Sequence, residues 1–142
     1  MVLRIYLDVC CLNRPFDDQT QDRIHLESEA VILILKKLEA GIWEWVGSEV
    51  LDLEVRQTPD RERRERVLLL VRSVHRCVAV GHSVLRRAQQ LEKVGFGAFD
   101  ALHVACAEDG EADVLLTTDD QLLVCARHNA GKLRVAVENP LT

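Results

Sequence analysis

The sequence predicts an α/β fold, a three-layer α/β/α sandwich around a mostly parallel central sheet. Two observations carry that prediction. Short apolar segments rich in β-formers alternate along the 142 residues with longer segments whose apolar residues recur at helical spacing. No stretch between them has the length or composition of a linker, and no internal repeat is present. Strands separated by helices need crossover connections, which give parallel pairing and helices on both faces of the sheet. A chain of this length fits one domain, residues 1–142, with one ordinary hydrophobic core.

The elements follow in order. Val2, Leu3, Ile5, Tyr6 and Leu7 make a buried first strand that ends at Asp8, and a loop is expected around Asn13, Arg14, Pro15, Phe16, Asp17 and Asp18. Ile24, Val31, Ile34, Leu35 and Leu38 mark a long amphipathic helix, which Gly41 stops from the C′ position. Residues 42–46 alternate through Trp43, Glu44 and Trp45 as a second strand, after which Ser48 caps a helix carrying Val50, Leu51, Leu53 and Glu54. Thr58 and Pro59 read as the start of a helix reaching Arg76, and residues 77–80 as a third strand. Val84, Leu85, Ala88 and Leu91 form a helix stopped near Gly95. Asp100 caps or opens the next one, which ends near Gly110. Residues 114–117 form a strand, 120–127 a helix and 133–137 a last strand.

Composition narrows the class. An apolar share of 48% and a charged share of 29% are those of a folded globular protein, not a disordered one. No apolar run approaches the ~20 residues of a membrane span, and the first residues are too short and too soon interrupted for a signal peptide, so a cytoplasmic location is expected. Cys10, Cys11, Cys77, Cys106 and Cys125 are odd in number and lack C-x-x-C spacing, which argues for free thiols rather than a disulfide framework or a zinc site. The net charge of −5 is unevenly spread: residues 55–95 carry 10 basic and 4 acidic side chains, while the segments on either side are acidic. Such a split suits a phosphate-attracting flank beside a cation pocket, or simply helix faces on which arginines pair with Glu62, Glu65 and Glu92.

Four acids stand where apolar segments stop or turn: Asp8, Glu54, Asp100 and Asp119. Each alone has an ordinary explanation as a cap, a turn residue or a surface residue. Together they fall at one place, because ligands of an open parallel sheet bind beyond the C-terminal strand ends. Asp8 and Asp119 follow strands directly, and Glu54 and Asp100 ride on helices able to lean over the same edge. Two like charges ~4 Å apart repel by roughly 4 kcal/mol at an effective dielectric near 20. A hard divalent cation such as Mg²⁺ or Mn²⁺ is the natural compensating charge.

Four motifs make the chain resemble the PIN-domain nucleases, the fold of the VapC-type toxins of bacterial toxin–antitoxin pairs. They are Ile5-Tyr6-Leu7-Asp8, Ser48 with Glu54 six residues on, Asp100-Ala101-Leu102-His103-Val104-Ala105, and Thr117-Thr118-Asp119. The resemblance covers nearly the whole chain. It implies a metal-dependent endoribonuclease whose catalytic and metal-binding residues are Asp8, Glu54, Asp100 and Asp119. It further implies an RNA substrate, a cognate antitoxin as partner and a homodimer. Asp120 adjoins Asp119 and can share its role. After Asp8 the family commonly has Thr or Ser and then Asn, whereas Val9, Cys10 and Cys11 stand here, and the segment through Asp18 points to a divergent branch.

Two rival readings remain. A PIN-fold protein can lose activity and serve as an interaction module. A magnesium-dependent phosphatase of the haloacid-dehalogenase type, with Asp8 as nucleophile, would carry a second Asp two residues later, where this chain has Cys10. Among the other residues, His103 lies one turn beyond Asp100 and is expected as a packed, half-buried histidine more than as an orienter of a ligand or water. Thr117 is either a strand-end residue or a donor to a carboxylate. Arg14 can reach a phosphate from the loop after Asp8, and Tyr6, Trp43 and Trp45 suit core packing better than base stacking.

Overall fold

The computed structural model describes residues 2–142. Its centre is a five-stranded, wholly parallel sheet in the order β3-β2-β1-β4-β5. The strands are β1 (Arg4–Leu7), β2 (Glu44–Ser48), β3 (Arg76–Val78), β4 (Val114–Leu116) and β5 (Ala136–Glu138). Helices α1 (Val9–Asn13), α2 (Asp22–Glu39), α3 (Glu49–Arg56), α4 (Arg61–Val71), α5 (His82–Lys93), α6 (Ala98–Asp109) and α7 (Asp120–His128) connect them.

Strand alternation divides the core between two faces, as a sheet covered on both sides requires. Tyr6, Val46 and Leu115 point into one cluster, which holds Val84, Ala88 and Leu91 of α5, Val104 and Cys106 of α6, and Leu122 of α7. Ile5, Leu7, Trp45 and Leu116 point into the other, with Leu12 of α1, Val31, Leu35 and Leu38 of α2, and Val67 of α4. Helix α3 lies across the divide, sending Val50 to the first cluster and Leu51 and Val55 to the second. The expected α/β/α sandwich is therefore the observed one.

Strand order fixes where a ligand can sit. The chain moves outward from β1 to β2 and β3, then crosses back to place β4 on the other side of β1. The order thus reverses at β1 and β4, and the crevice beyond the C-terminal ends of that pair is the switch point at which such sheets bind ligands. Leu7 pairs with Leu116, and the Asp8 amide donates to the Leu116 carbonyl at 3.0 Å. Asp8 and the residues after Leu116 consequently leave the sheet side by side.

Several boundaries differ from those expected. The segment after Asp8 winds at once into α1 and a 3-10 turn at Arg14–Phe16, where a loop was expected around Asn13. Strand β2 lies two residues later than residues 42–46, so Trp43 precedes it, half-buried with the Lys37 ammonium 4.7 Å from its ring centroid. Asp60, not Thr58, caps α4 by accepting from the Arg63 amide, and α4 ends at Val71, leaving Arg76 as the first residue of β3. Strand β5 is shorter than residues 133–137 and later, after a 3-10 turn at Ala130–Lys132. Gly41 does close the long helix, with φ 75°.

Helix α6 is fixed at its C-terminal end by two contacts. Arg87 of α5 forms a forked pair with the buried Glu108 carboxylate at 2.7 and 3.1 Å, tying α5 to α6. Beyond its last turn Gly110 lies so close to the sheet that a Cβ there would meet Val46 Cγ1 at 2.7 Å and Val78 Cγ2 at 2.8 Å. Both valines are buried core residues with little freedom to move. Gly110→Ala should accordingly destabilise the fold by about 1–3 kcal/mol. The check is equilibrium urea unfolding, with a lower midpoint and an unchanged slope expected.

Candidate metal centre

Each acid is delivered by a local structure that the sequence dictates. Asp8 ends β1 and caps α1: Oδ1 accepts from the Val9 amide at 2.7 Å, and Oδ2 accepts from the Thr117 hydroxyl at 3.0 Å. Its side chain is almost wholly buried. Asp119 caps α7, with Oδ1 accepting from the amides of Gln121 and Leu122. Thr117 links the two, since its Oγ1 also accepts from the Asp119 amide at 3.1 Å. Asp100 sits in the first turn of α6 rather than at its cap, which is Gly97, and Glu54 lies in the second turn of α3 after the Ser48 cap.

The acids act on one another. Asp100 has its pKa raised to about 6, first by burial and then by the charges of Asp8 and Asp119, with Glu54 adding to them and His103 opposing. That set of causes places all four carboxylates in one field at the C-terminal edge. Asp120, by contrast, is fully exposed and turned to Arg23, whose Nη1 and Nη2 donate to its two oxygens at 2.8 and 2.7 Å. The arginine lowers its pKa and compensates its charge. Asp119 adds its charge to the field on Asp100, whereas Asp120 is engaged by Arg23.

Residues that sequence reasoning placed lower prove central. His103 is fully buried, not half-buried. Its Nε2 stands 3.0 Å from Glu54 Oε1 and 3.8 Å from Asp8 Oδ1, while Nδ1 lies 2.6 Å from the Tyr6 hydroxyl. Tyr6 in turn meets Ser48 Oγ at 2.7 Å, and Ser48 Oγ accepts from the Leu51 amide. With a neutral imidazole this chain has one direction: Ser48 gives its proton to Tyr6, Tyr6 gives its own to Nδ1, and Nε2–H points at Glu54. Burial works to lower the His103 pKa, but the Glu54 hydrogen bond and the fields of Asp8, Glu54 and Asp100 outweigh it, and the net direction is upward. A proton taken up there leaves the chain intact, because the Tyr6 hydroxyl can accept as well as donate. The legible signals were Tyr6 two residues before Asp8, on the same strand face, and His103 one turn after Asp100.

The residues after Asp8 lack the expected hydroxyl and amide, and the thiol of Cys10 stands in that space. Its Sγ is 3.4 Å from Asp8 Oδ2 and 3.2 Å from Thr117 Oγ1, and it accepts from the Thr118 amide at 3.3 Å. Arg14 is engaged within the chain: it pairs with the buried Glu27 and with Asp17. On α4, Arg61 pairs with Glu65 and Arg66 with Glu62 one turn apart, as solvated helix faces do, while Arg63 reaches across to Asp17 and the Phe16 carbonyl. Tyr6 and Trp45 are core residues, as expected.

The donor set suits a hard cation. Side-chain atoms of Asp8, Glu54 and His103 lie within 4.8 Å of one another, with His103 as a donor to Glu54 rather than a ligand, and the charges of Asp8, Asp119 and Glu54 all act on Asp100. Oxygen-rich sites of this kind match Mg²⁺ or Mn²⁺ rather than a thiolate-preferring metal. The raised pKa of Asp100 reflects burial first and the neighbouring negative charge of Asp8 and Asp119 second.

Comparison with known proteins agrees with this architecture. A search of curated proteins finds no significant match. Among solved structures, the VapBC2 complex of Rickettsia felis, crystallised with a DNA fragment from its promoter, contains a chain that superposes with a TM-score of 0.55. The two are 15% identical, and the alignment covers 96% of this chain and 98% of that one, a likeness of fold. The PIN domain family profile matches residues 5–127, from β1 into α7, and so spans all four acids and most of the chain. With parallel sheet, acidic edge and profile in agreement, the chain belongs to the PIN domain family of nucleases.

Proposed function

We propose that this protein is a metal-dependent endoribonuclease in which Asp8, Glu54, Asp100 and Asp119 hold Mg²⁺ or Mn²⁺ at the C-terminal edge of the sheet. The observation that carries the reading is the convergence of four carboxylates there, with Asp100 pushed up to about 6 by burial and by its acidic neighbours. A divalent cation compensates that charge and supplies a Lewis acid for a scissile phosphate. Glu54, with one oxygen engaged by His103, keeps the other for an ion or an attacking water. Thr117 and the α1 amide hold the Asp8 carboxylate rigidly, so little reorganisation is needed at the moment of reaction. Asp8 as a phosphatase nucleophile fits poorly, since the position two residues on, where such enzymes carry a second Asp, holds the thiol of Cys10.

RNA is the substrate implied by family resemblance, and the fold likeness to a chain of a VapBC complex supports a role as the toxin of a toxin–antitoxin pair. On that reading a cognate antitoxin inhibits the enzyme, and the working form is a homodimer. No described helix is long and apolar enough to cross a membrane, in keeping with a cytoplasmic place of action. The rival is an inactive PIN-fold interaction module.

Incubation with single-stranded and structured RNA should give cleavage with Mg²⁺ or Mn²⁺ and none with chelator. Asp100→Asn and Asp119→Asn should each lower the rate by about 100-fold or more, and Asp120→Asn far less because Arg23 already holds that side chain. Cleavage that survives chelation would sink the metal mechanism, and no cleavage of any RNA would favour the interaction module.

A second expectation concerns pH. The folded-state pKa of Asp100 lies above the ~3.9 of an unfolded aspartate, so the folded chain binds this proton more tightly. Stabilisation from Asp100 is complete below pH about 4 and lost as pH rises through about 6. Without metal, the Tm of the wild type relative to Asp100→Asn should therefore fall across that window. Saturating Mn²⁺ at neutral pH should raise the wild-type Tm more than the variant's. A Tm difference that is flat with pH and indifferent to Mn²⁺ would contradict the assignment.

A further inference from the structure

A fully buried carboxylate lies outside the acidic cluster. Glu27 on α2 has no solvent exposure, and each of its oxygens is engaged. Oε1 accepts from Arg14 Nε at 3.0 Å, while Oε2 accepts from Asn139 Nδ2 at 2.6 Å and lies 3.4 Å from Arg23 Nε. A buried charge persists only with such complete pairing, so its presence asks what the pairing achieves.

The partners answer that question by their positions. Arg14 follows α1 and so belongs to the segment leaving Asp8, and Asn139 follows β5. Arg23 reaches across to the segment after β4, where Nη2 approaches the Thr118 carbonyl at 3.4 Å and the fork of Nη1 and Nη2 grips Asp120. Arg23 thus holds the residue before Asp119 and the residue after it, and Glu27 aims the guanidinium that does so.

From this geometry we infer that Glu27 and Arg23 are positioning residues for Asp119, fixing it from α2 through the backbone carbonyl of Thr118 on one side and the side-chain carboxylate of Asp120 on the other. The inference rests on the metal-binding reading above. It assigns Asp120 a definite part: its carboxylate is the handle by which Arg23 sets its neighbour, not a ligand. Lysine cannot substitute at position 23, because an ammonium lacks the planar fork that addresses Glu27, Asp120 and the Thr118 carbonyl together.

The test is a double-mutant cycle read as Mn²⁺ affinity by calorimetry, with Tm measured beside it. Arg23 is half-exposed, so Arg23→Ala is the variant of choice over any change at buried Glu27. Arg23→Ala should weaken Mn²⁺ binding by about 10- to 100-fold, the usual effect of losing an outer-shell support. Arg23→Lys should do nearly the same. In an Asp119→Asn background the Arg23→Ala loss should shrink to less than about 3-fold, since the residue through which it acts is gone. Arg61→Ala, which breaks an exposed pair on α4, should leave the affinity unchanged. Unaltered Mn²⁺ affinity in Arg23→Ala would overturn the inference, as would an equal loss in both backgrounds, which would mean a general structural effect. If the wild type itself binds no Mn²⁺, the metal-binding reading fails and the inference falls with it.

Discussion

The parallel pairing of β1 with β4 is the constraint on which the rest of the structure depends. It sets Leu7 opposite Leu116, so Asp8 and the Thr117 to Asp119 turn emerge together at the crevice where strand order reverses. β2 on the other side of β1 delivers Ser48, and with it the start of α3 that carries Glu54. α6, tied to α5 by Arg87 and Glu108 and seated on the sheet through Gly110, brings Asp100 and His103 over the same edge. Four acids far apart in sequence thereby become neighbours through pairings that the hydrophobic core enforces.

Bringing them together has an electrostatic cost that the surrounding groups partly offset. Asp8 is tolerated in near-complete burial because an amide and a hydroxyl donate to it. Glu54 faces an imidazole whose other nitrogen is braced by Tyr6 and Ser48. Asp119 uses one oxygen to cap α7. Asp100 has no comparable partner, and its pKa, raised to about 6, records the remaining strain. Two roles divide the adjacent Asp119 and Asp120: the first contributes charge to the cluster, and the second gives its charge to Arg23.

The fold was legible because it depends on pattern. Alternating β-rich and amphipathic segments announce a parallel sheet whatever the details, and the four acids could be placed at its edge from strand ends and helix starts alone. Boundaries shifted where local chemistry competed with pattern. Asp8 caps a short helix running into the segment where a loop was expected, and Asp60 caps one that begins later than Thr58 and Pro59 indicated. What stayed hidden were contacts set by tertiary approach: Tyr6 with Ser48 and His103, Cys10 beside Asp8, and Glu27 joining the segments of Arg14 and Asn139. The i,i+4 spacing of Arg23 and Glu27 is legible on one helix, but nothing in the spacing of Arg14 and Asn139 announces that they meet on the same carboxylate. Arg14, which from its place in the sequence could serve a phosphate, is paired in the structure with buried Glu27 and with Asp17.

The central claim is that this acidic edge is a divalent-cation site. Its most direct test is a crystal structure of the protein soaked in Mn²⁺, with the ion located by anomalous scattering. The account predicts a peak among Asp8, Asp100 and Asp119, with carboxylate oxygens at about 2.0–2.3 Å, Glu54 bound directly or through water, and Asp120 still held by Arg23. A map with no peak at that edge, or with manganese bound only at other carboxylates, would contradict it.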